Sequence, residues 1–291
     1  MPEKTRTETD RILEWIGRTE TTSGYAYGAL ADVLSATLDR DDPPHVEGTP
    51  LPPGWHWLCF PEAVKLEDTG YDGHPKTGGF MPPVPLPRRM WAGNRMEFFQ
   101  PIRTGETLRR QSTIADVRFK SGAGGKLCFV TVRHEIHAGS GLTTVEEHDV
   151  VYREAAAPGA RAPRHRPAPA EPVWSRTVSP SPVLLFRFSA LTMNSHRIHY
   201  DRTFAVEEEG YPGLVFHGPL TMVLLMDLFR RANPKARLRR FAVRATAPLY
   251  DISDFEIQGT PGESEGEARL WALTPAGELA MVGEASYVEE A

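Results

Sequence analysis

Alternating and helical spacings of apolar residues divide this chain into two runs of similar plan. Thr107 to Lys120, Lys126 to His137 and Thr143 to Glu154 alternate apolar and polar positions with the two-residue period of half-buried strands. SGAGGK, between the first two, supplies the glycines of a hairpin turn, so these segments predict an antiparallel meander. Arg239 to Pro248, Ser253 to Thr260, Glu267 to Leu273 and Leu279 to Val288 repeat the alternation, with TPAGE as the last turn. Helical spacing comes earlier in each run. Leu30, Val33, Leu34 and Leu38 share one face of a helix predicted over Tyr27 to Asp39, and Ser181 to Asn194 occupies the matching place in the second run. A further helix is predicted from Gly218, with Pro219 in its first turn and Arg230 and Arg231 at its end. Its nearly continuous apolar content requires burial within a sheet.

Between the runs, Ala155 to Pro172 loses its apolar period and fills with Ala, Pro and Arg, the composition of a linker. The expected organisation is residues 1–154, a linker over 155–172, and residues 173–291. The pattern alone gives an α+β class with two similar halves.

Composition narrows the partners more than the fold. With 291 residues and 40% hydrophobic content the chain can bury a real core. The net charge of −5 is mild and its Lys and Arg are scattered, which argues against nucleic acid. Cys59 and Cys128 are too few for a disulfide framework or a structural zinc site, and they fit a reducing cytoplasm. The charged, helix-like N-terminus lacks the apolar core of a signal peptide, and no run approaches the roughly 18 apolar residues of a membrane span. A cytoplasmic protein with no membrane partner is expected.

Candidate chemistry concentrates in LTMNSHRIHYD, Leu191 to Asp201, and in HGPL at the start of the helix predicted from Gly218. Helix starts present unpaired amides and partial positive charge, suited to a carbonyl oxygen that becomes an enolate. Gly218 admits a substrate carbonyl, and His199 has the residue type for acid/base work beside a thioester. His217 reads as a structural hydrogen-bonder, and His196 divides evenly between helix cap and assistant. His196, His199, His217 and Asp201 offer nitrogen and oxygen ligands, but their spacing is not that of HExxH and the chemistry needs no metal. No metal and no cofactor is expected. In PLPRRMWAGNR, the guanidinium forks of Arg88 and Arg89 suit phosphates or a carboxylate, although exposed arginines at a strand entrance are the commoner reading.

These segments resemble the active-site signature of MaoC-like, (R)-specific enoyl-CoA hydratases, S-G-D-x-N-P-hydrophobic-H. Thr192 to His199 fill its places, Ala205 follows, and FHGPL matches the family's H-G-hydrophobic segment. His199 falls on the family's catalytic histidine. Asn194 stands where the family has its aspartate and His196 where it has asparagine, and asparagine cannot be a general base. FSALTMNSHRIHYD and GYPGLVFHGPL are similar to a subgroup sharing that change, the mesaconyl-C4-CoA hydratases and type 2 hydroxyacyl-thioester dehydratases. WIGRTETT, LPPGWHWLCF and GGFMPPVPLPRRMWAG resemble the FAS1-like dehydratase domain.

The resemblance implies a double hot-dog fold, two antiparallel sheets each wrapped around a helix, and a hydro-lyase acting on a 2-enoyl-CoA. It implies His199 and Asn194 as catalytic residues, with Gly218, His217, His196, Arg88 and Arg89 near substrate. Mesaconyl-C4-CoA, hydrated to citramalyl-CoA, is the expected substrate. Itaconyl-CoA, a straight-chain 3-hydroxyacyl thioester, and a non-catalytic acyl-CoA binding role are the alternatives. In the first half the place of Asn194 falls near Asp39 and no HGPL follows, so that half is expected to receive the acyl tail rather than catalyse. A homodimer is compatible with the fold.

Overall fold

The computed structural model describes residues 7–122, 125–154 and 166–290. The first half contains α1 (Glu8–Leu13), β1 (Thr19–Tyr25), α2 (Gly28–Thr37), a 3-10 turn at Trp55–Cys59, β2 (Arg88–Phe98), β3 (Thr107–Gly122), β4 (Gly125–Ala138) and β5 (Gly141–Arg153). The second contains β6 (Trp174–Val178), α3 (Pro182–Thr192), α4 (Gly218–Ala232), β7 (Ala236–Ala245), β8 (Phe255–Pro261), β9 (Glu267–Leu273) and β10 (Leu279–Glu289). The ten strands make one sheet in the order β1-β3-β4-β5-β2-β7-β10-β9-β8-β6. All neighbours are antiparallel. Exchanging each strand of one half with its counterpart in the other leaves the order unchanged when read from the opposite end, so the halves are related by a pseudo-two-fold. The seam is the β2-β7 pair, from Gly93 opposite Arg244 to Glu97 opposite Arg240.

The expected double hot-dog α+β plan is therefore present, with its helices developed unequally. In α3, Ser181 accepts a hydrogen bond from Leu184 N at 3.2 Å and Pro182 sets the first turn. In α4 every residue from Leu220 to Phe229 is buried, as its continuous apolar run requires. Among the described residues the first half has no second long helix: the corresponding place holds the turn at Trp55–Cys59, entered through Gly54 in a left-handed conformation after two prolines. Polar side chains fill the freed inner face of that half. Buried Glu146 lies 2.8 Å from His56 Nε2 and accepts from Trp57 Nε1 at 3.0 Å and Asn94 Nδ2 at 2.5 Å. His134 meets Ser112 at 2.9 Å beside them.

The meander strands fall where alternation put them. The centre of SGAGGK, residues 123–124, and most of the linker, residues 155–165, lie outside the described residues. Strands β1 and β6 were not legible as strands; both sit at sheet edges and β1 buries no residue fully.

Candidate active site

The loop after α3 is set by two local devices. Met193 ends the helix in the left-handed region, and Asn194 Oδ1 then accepts from His196 N at 3.1 Å, an Asx turn that aims the chain inward. A 3-10 turn, Arg197–His199, follows, and Asp201 caps the next turn while pairing with Arg197 at 2.8 Å. His199 is 7% exposed, and its Nδ1 donates to Val215 O at 2.7 Å. That bond puts the ring proton on Nδ1 and leaves the Nε2 lone pair open, the form a general base needs. Burial pushes His199 down to about 4, against the Val215 bond, so the ring is neutral near pH 7.

His217 stacks on His199 with centroids 3.7 Å apart and planes 19° apart. Its Nε2 meets Ser189 Oγ at 2.9 Å, while its buried Nδ1 has no hydrogen-bond partner. Burial and the neighbouring rings hold it well below the usual histidine range. Gly218, the next residue, opens α4 against the face of Trp91: a Cβ there would lie 2.5 Å from Trp91 Cε3. The first-turn amides of Gly218 and Leu220 have no intrahelical acceptor. They carry the partial positive charge of the helix start, next in sequence to the His217 ring that stacks on His199.

The first half also brings to this space two residues that sequence reasoning missed. A loop pinched by the Thr69–Pro75 bridge carries Asp72 and His74. His74 Nδ1 lies 2.9 Å from Asp72 Oδ2, and its ring centroid lies 3.9 Å from that of His196. His196 in turn meets His199 edge-on at 5.4 Å. The signal in the sequence was the triplet DGH inside a polar, turn-rich stretch, which reads as an ordinary loop until its partner is known. Burial would raise the Asp72 carboxyl, but the His74 hydrogen bonds hold it down at about 2. Burial and the neighbouring His74 push His196 down to about 2. Asp72, His74 and His196 present ligand atoms within 4.8 Å of one another, but the Asp72 to His74 spacing is that of a direct hydrogen bond. Of the alternative ligand set weighed above, Asp201 is turned to Arg197, while His196, His199 and His217 pack ring against ring. His196 sits at the cap position of its turn without a side-chain cap bond, and its ring packs against those of His74 and His199.

The two arginines of PLPRRMWAGNR separate. Arg88 pairs with Glu209 at 3.2 Å, donates to its carbonyl at 2.9 Å and covers Tyr211, so it is committed to holding the second half and is not free for substrate. Arg89 faces the opposite way, across the strand pair from Tyr152, and no carboxylate pairs with it among the described residues. Tyr152 Oη and Trp91 Nε1 are buried there without hydrogen-bond partners. Arg89's charge reaches His74, His196 and His148 as well, lowering each.

The pseudo-two-fold mate of this site has been rebuilt. Arg40 N donates to Ser35 O at 3.1 Å as Asn194 N does to Ser189 O at 2.9 Å, and Asp39 and Met193 share the left-handed conformation. Arg40 is thus the counterpart of Asn194, one residue beyond the expected place, and His45 that of His199. Arg40 binds Asp227 at 2.7 Å and Asp42 at 3.0 Å, and Asp32 holds His45 at 2.8 Å. A cavity of ≈ 380 Å³ remains there, lined by Leu51, Trp55, Ile102, Met226 and Arg230.

A model of the hydroxyacyl-thioester dehydratase type 2 family matches residues 54–251. The chain is 45% identical over 276 residues to a mesaconyl-C(4)-CoA hydratase of Chloroflexus aurantiacus, covering 92% of this chain and 97% of that protein. It is 27% identical to the mitochondrial hydroxyacyl-thioester dehydratase type 2 of Schizosaccharomyces pombe, over 76% of this chain and 83% of that one. Among solved structures, a MaoC-like dehydratase from Phytophthora capsici superposes with a TM-score of 0.71 at 16% identity, covering 98% of this chain and 100% of that chain. A Mycobacterium tuberculosis protein described as a double hot-dog fold matches with a TM-score of 0.58 at 12% identity, over 94% and 96% of the two chains. These two show the shared fold. No helix among the described residues is long and apolar enough to cross a membrane. The chain belongs to the hydroxyacyl-thioester dehydratase type 2 family and is a hydro-lyase of that hydratase and dehydratase group.

Proposed function

We propose that this protein adds water reversibly across the double bond of a short dicarboxylic 2-enoyl-CoA, with mesaconyl-C4-CoA going to citramalyl-CoA as the principal reaction. The observation that carries the choice of substrate is Arg89, a guanidinium with no carboxylate partner among the described residues, which lies cross-strand from Tyr152. A free carboxylate on the acyl chain would pair with Arg89, whereas a hydrocarbon tail would leave that charge without a counter-ion. The identity to the Chloroflexus hydratase supports the same substrate.

In hydration the thioester carbonyl rests on the Gly218 amide, and water approaches C3 within reach of His199 Nε2. His199 takes the water proton as the C3–O bond forms, and the developing enolate oxygen gains the charge that the α4 amides favour. Asn194 fixes the loop through His196 N and orients, without accepting a proton. The first half contributes the acyl-binding wall. A cytoplasmic setting and edge-to-edge pairing into a homodimer through β1 or β6 complete the reading.

The test is turnover of mesaconyl-C4-CoA, itaconyl-CoA and crotonyl-CoA by wild type and Arg89→Met. Wild type should prefer mesaconyl-C4-CoA. The variant should lose about 10- to 100-fold in kcat/KM on that substrate, the value of a charged hydrogen bond, while crotonyl-CoA turnover holds. Preference of the wild type for straight-chain thioesters would move the reading to 3-hydroxyacyl-thioester dehydration. Binding without turnover would make the protein a carrier of acyl-CoA.

A further inference from the structure

Four imidazoles, those of His74, His196, His199 and His217, stand in file beside Gly218, and of these only His74 is hydrogen-bonded to a carboxylate. We propose that His74, oriented by Asp72, is the acid that protonates the α-carbon during hydration. The first half of the chain thereby supplies the carboxylate-imidazole pair that Asn194 denies the second. This rests on the reading of Asn194 to Gly218 as the hydration site.

The pair is built rather than incidental. Asp72 Oδ1 accepts from His74 N at 3.0 Å while Oδ2 faces Nδ1 at 2.9 Å, which fixes the ring and leaves Nε2 for the site. Three hydrogen bonds clip its loop to the other half: Arg197 N to Asp72 O at 2.9 Å, Ser195 Oγ to Gly73 O at 2.6 Å, and Arg197 Nη1 to Tyr71 O at 3.1 Å. Gly73 has φ +88°, and a Cβ on it would lie 1.9 Å from Ser195 O, so no side chain fits where the two loops meet. The charged and titratable groups facing His74 are Asp72 on its own loop, Arg89 from β2, and His196 and His199 from the second half. Burial and Arg89 lower His74, while Asp72 resists. Burial pushes His199 down to about 4 with no carboxylate beside it and His196 down to about 2 although the Asp72 charge opposes, whereas His74 alone is hydrogen-bonded to Asp72, so that ring is the one built to hold a proton.

That distribution matches the reaction. Water gives one proton to Nε2 of neutral His199 as its oxygen bonds C3, and the C2=C3 electrons move onto the thioester oxygen at the Gly218 amide. As the enolate collapses, C2 takes the proton from Nε2 of His74, whose neutral ring keeps its Nδ1 proton on Asp72. His199 has gained one proton and His74 has lost one. Between turnovers His199 releases its extra proton to water and His74 takes one up from water. Dehydration is the same path reversed.

The experiment uses the full chain and the enoyl-CoA that wild type hydrates best. His74→Gln should lower kcat by about 10²-fold or more, the contribution of a positioned acid, with KM little changed. His74→Ala should regain turnover with added imidazole. Asp72→Asn keeps an acceptor for His74 N but removes the charge that favours imidazolium, so the alkaline limb of the kcat profile should move to lower pH. If His74→Gln unfolds, the Asp72→Asn profile decides. Unchanged kcat and pH profile in folded variants overturns the proposal, as does one equivalent of bound transition metal whose chelation abolishes turnover. A wild type that hydrates no enoyl-CoA refutes the underlying reading instead, and the proposal with it.

Discussion

The rings of His74 and His196 lie 3.9 Å apart although they belong to opposite halves of the chain. The candidate site is therefore closed across the β2-β7 seam, with the second half presenting His199 and Gly218 and the first presenting Asp72, His74, Arg89 and Trp91. Duplication explains this economy. One copy kept the long helix and its amide end, and the other gave up its helix for a polar wall.

Gly218→Ala should be costly in two ways. The added methyl would meet Trp91 at 2.5 Å, an overpacking that typically costs about 1–3 kcal/mol, and relief would shift the α4 amide from the oxyanion position. Thermal unfolding should fall, and kcat should drop by about 10²-fold, as for loss of one oxyanion donor. Unaltered kinetics would mean that the amide does not face the carbonyl.

Asn194→Asp should retain turnover, because the aspartate oxygen can still accept from His196 N and restores the carboxylate of the wider family. The pH profile should gain a carboxylate limb. Placed in the His74→Gln background, it should recover part of the lost rate, which kcat in the double variant would reveal. Complete loss with an intact fold would indicate that Asn194 donates a hydrogen bond no carboxylate replaces.

Acid should destabilise the protein well above the carboxylate range. Histidines held neutral by burial, including His134 at about 3 and His199 at about 4, have folded pKa values below the unfolded 6.5. Between those values the unfolded chain binds more protons, so stability rises with pH through that window and is lost as pH falls from 6.5. Each such ring contributes a slope of about 1.4 kcal/mol per pH unit. Urea titrations from pH 7 to 4 should show a steep loss that His134→Gln flattens; a flat wild-type curve would contradict the neutral assignment.

Asp227 is the one acid in the buried span of α4, and Arg40, Arg176 and Arg231 surround it at 2.7, 3.2 and 2.7 Å. Asp227→Ala leaves these cations without their shared anion and should cost about 3–5 kcal/mol. Denaturant unfolding measures this, and an Arg40→Ala double variant should cost less than the sum of the two singles.

The parts of this architecture written in local patterns were legible. Alternation placed β3, β4 and β5, and the nearly continuous apolar run of HGPLTMVLLMDLF required a buried helix. As candidates, His199, Asn194 and Gly218 could be picked out through resemblance, because the matching segments are contiguous. Asp72 and His74 were not, since their meaning depends on a loop meeting Ser195 and Arg197 across the fold. Likewise Arg88 and Arg89 look equivalent in sequence, and only the strand pleat sends one to Glu209 and the other to Tyr152.

The most direct measurement compares purified wild type with His199→Ala on mesaconyl-C4-CoA, following loss of the enoyl-thioester absorbance and weighing the product. Wild type should yield an acyl-CoA heavier by one water, and the variant should be slower by about 10²- to 10⁴-fold. Equal hydration by both, or tight binding of the substrate without any hydrated product, would contradict the assignment of His199 as the residue that moves the proton of water.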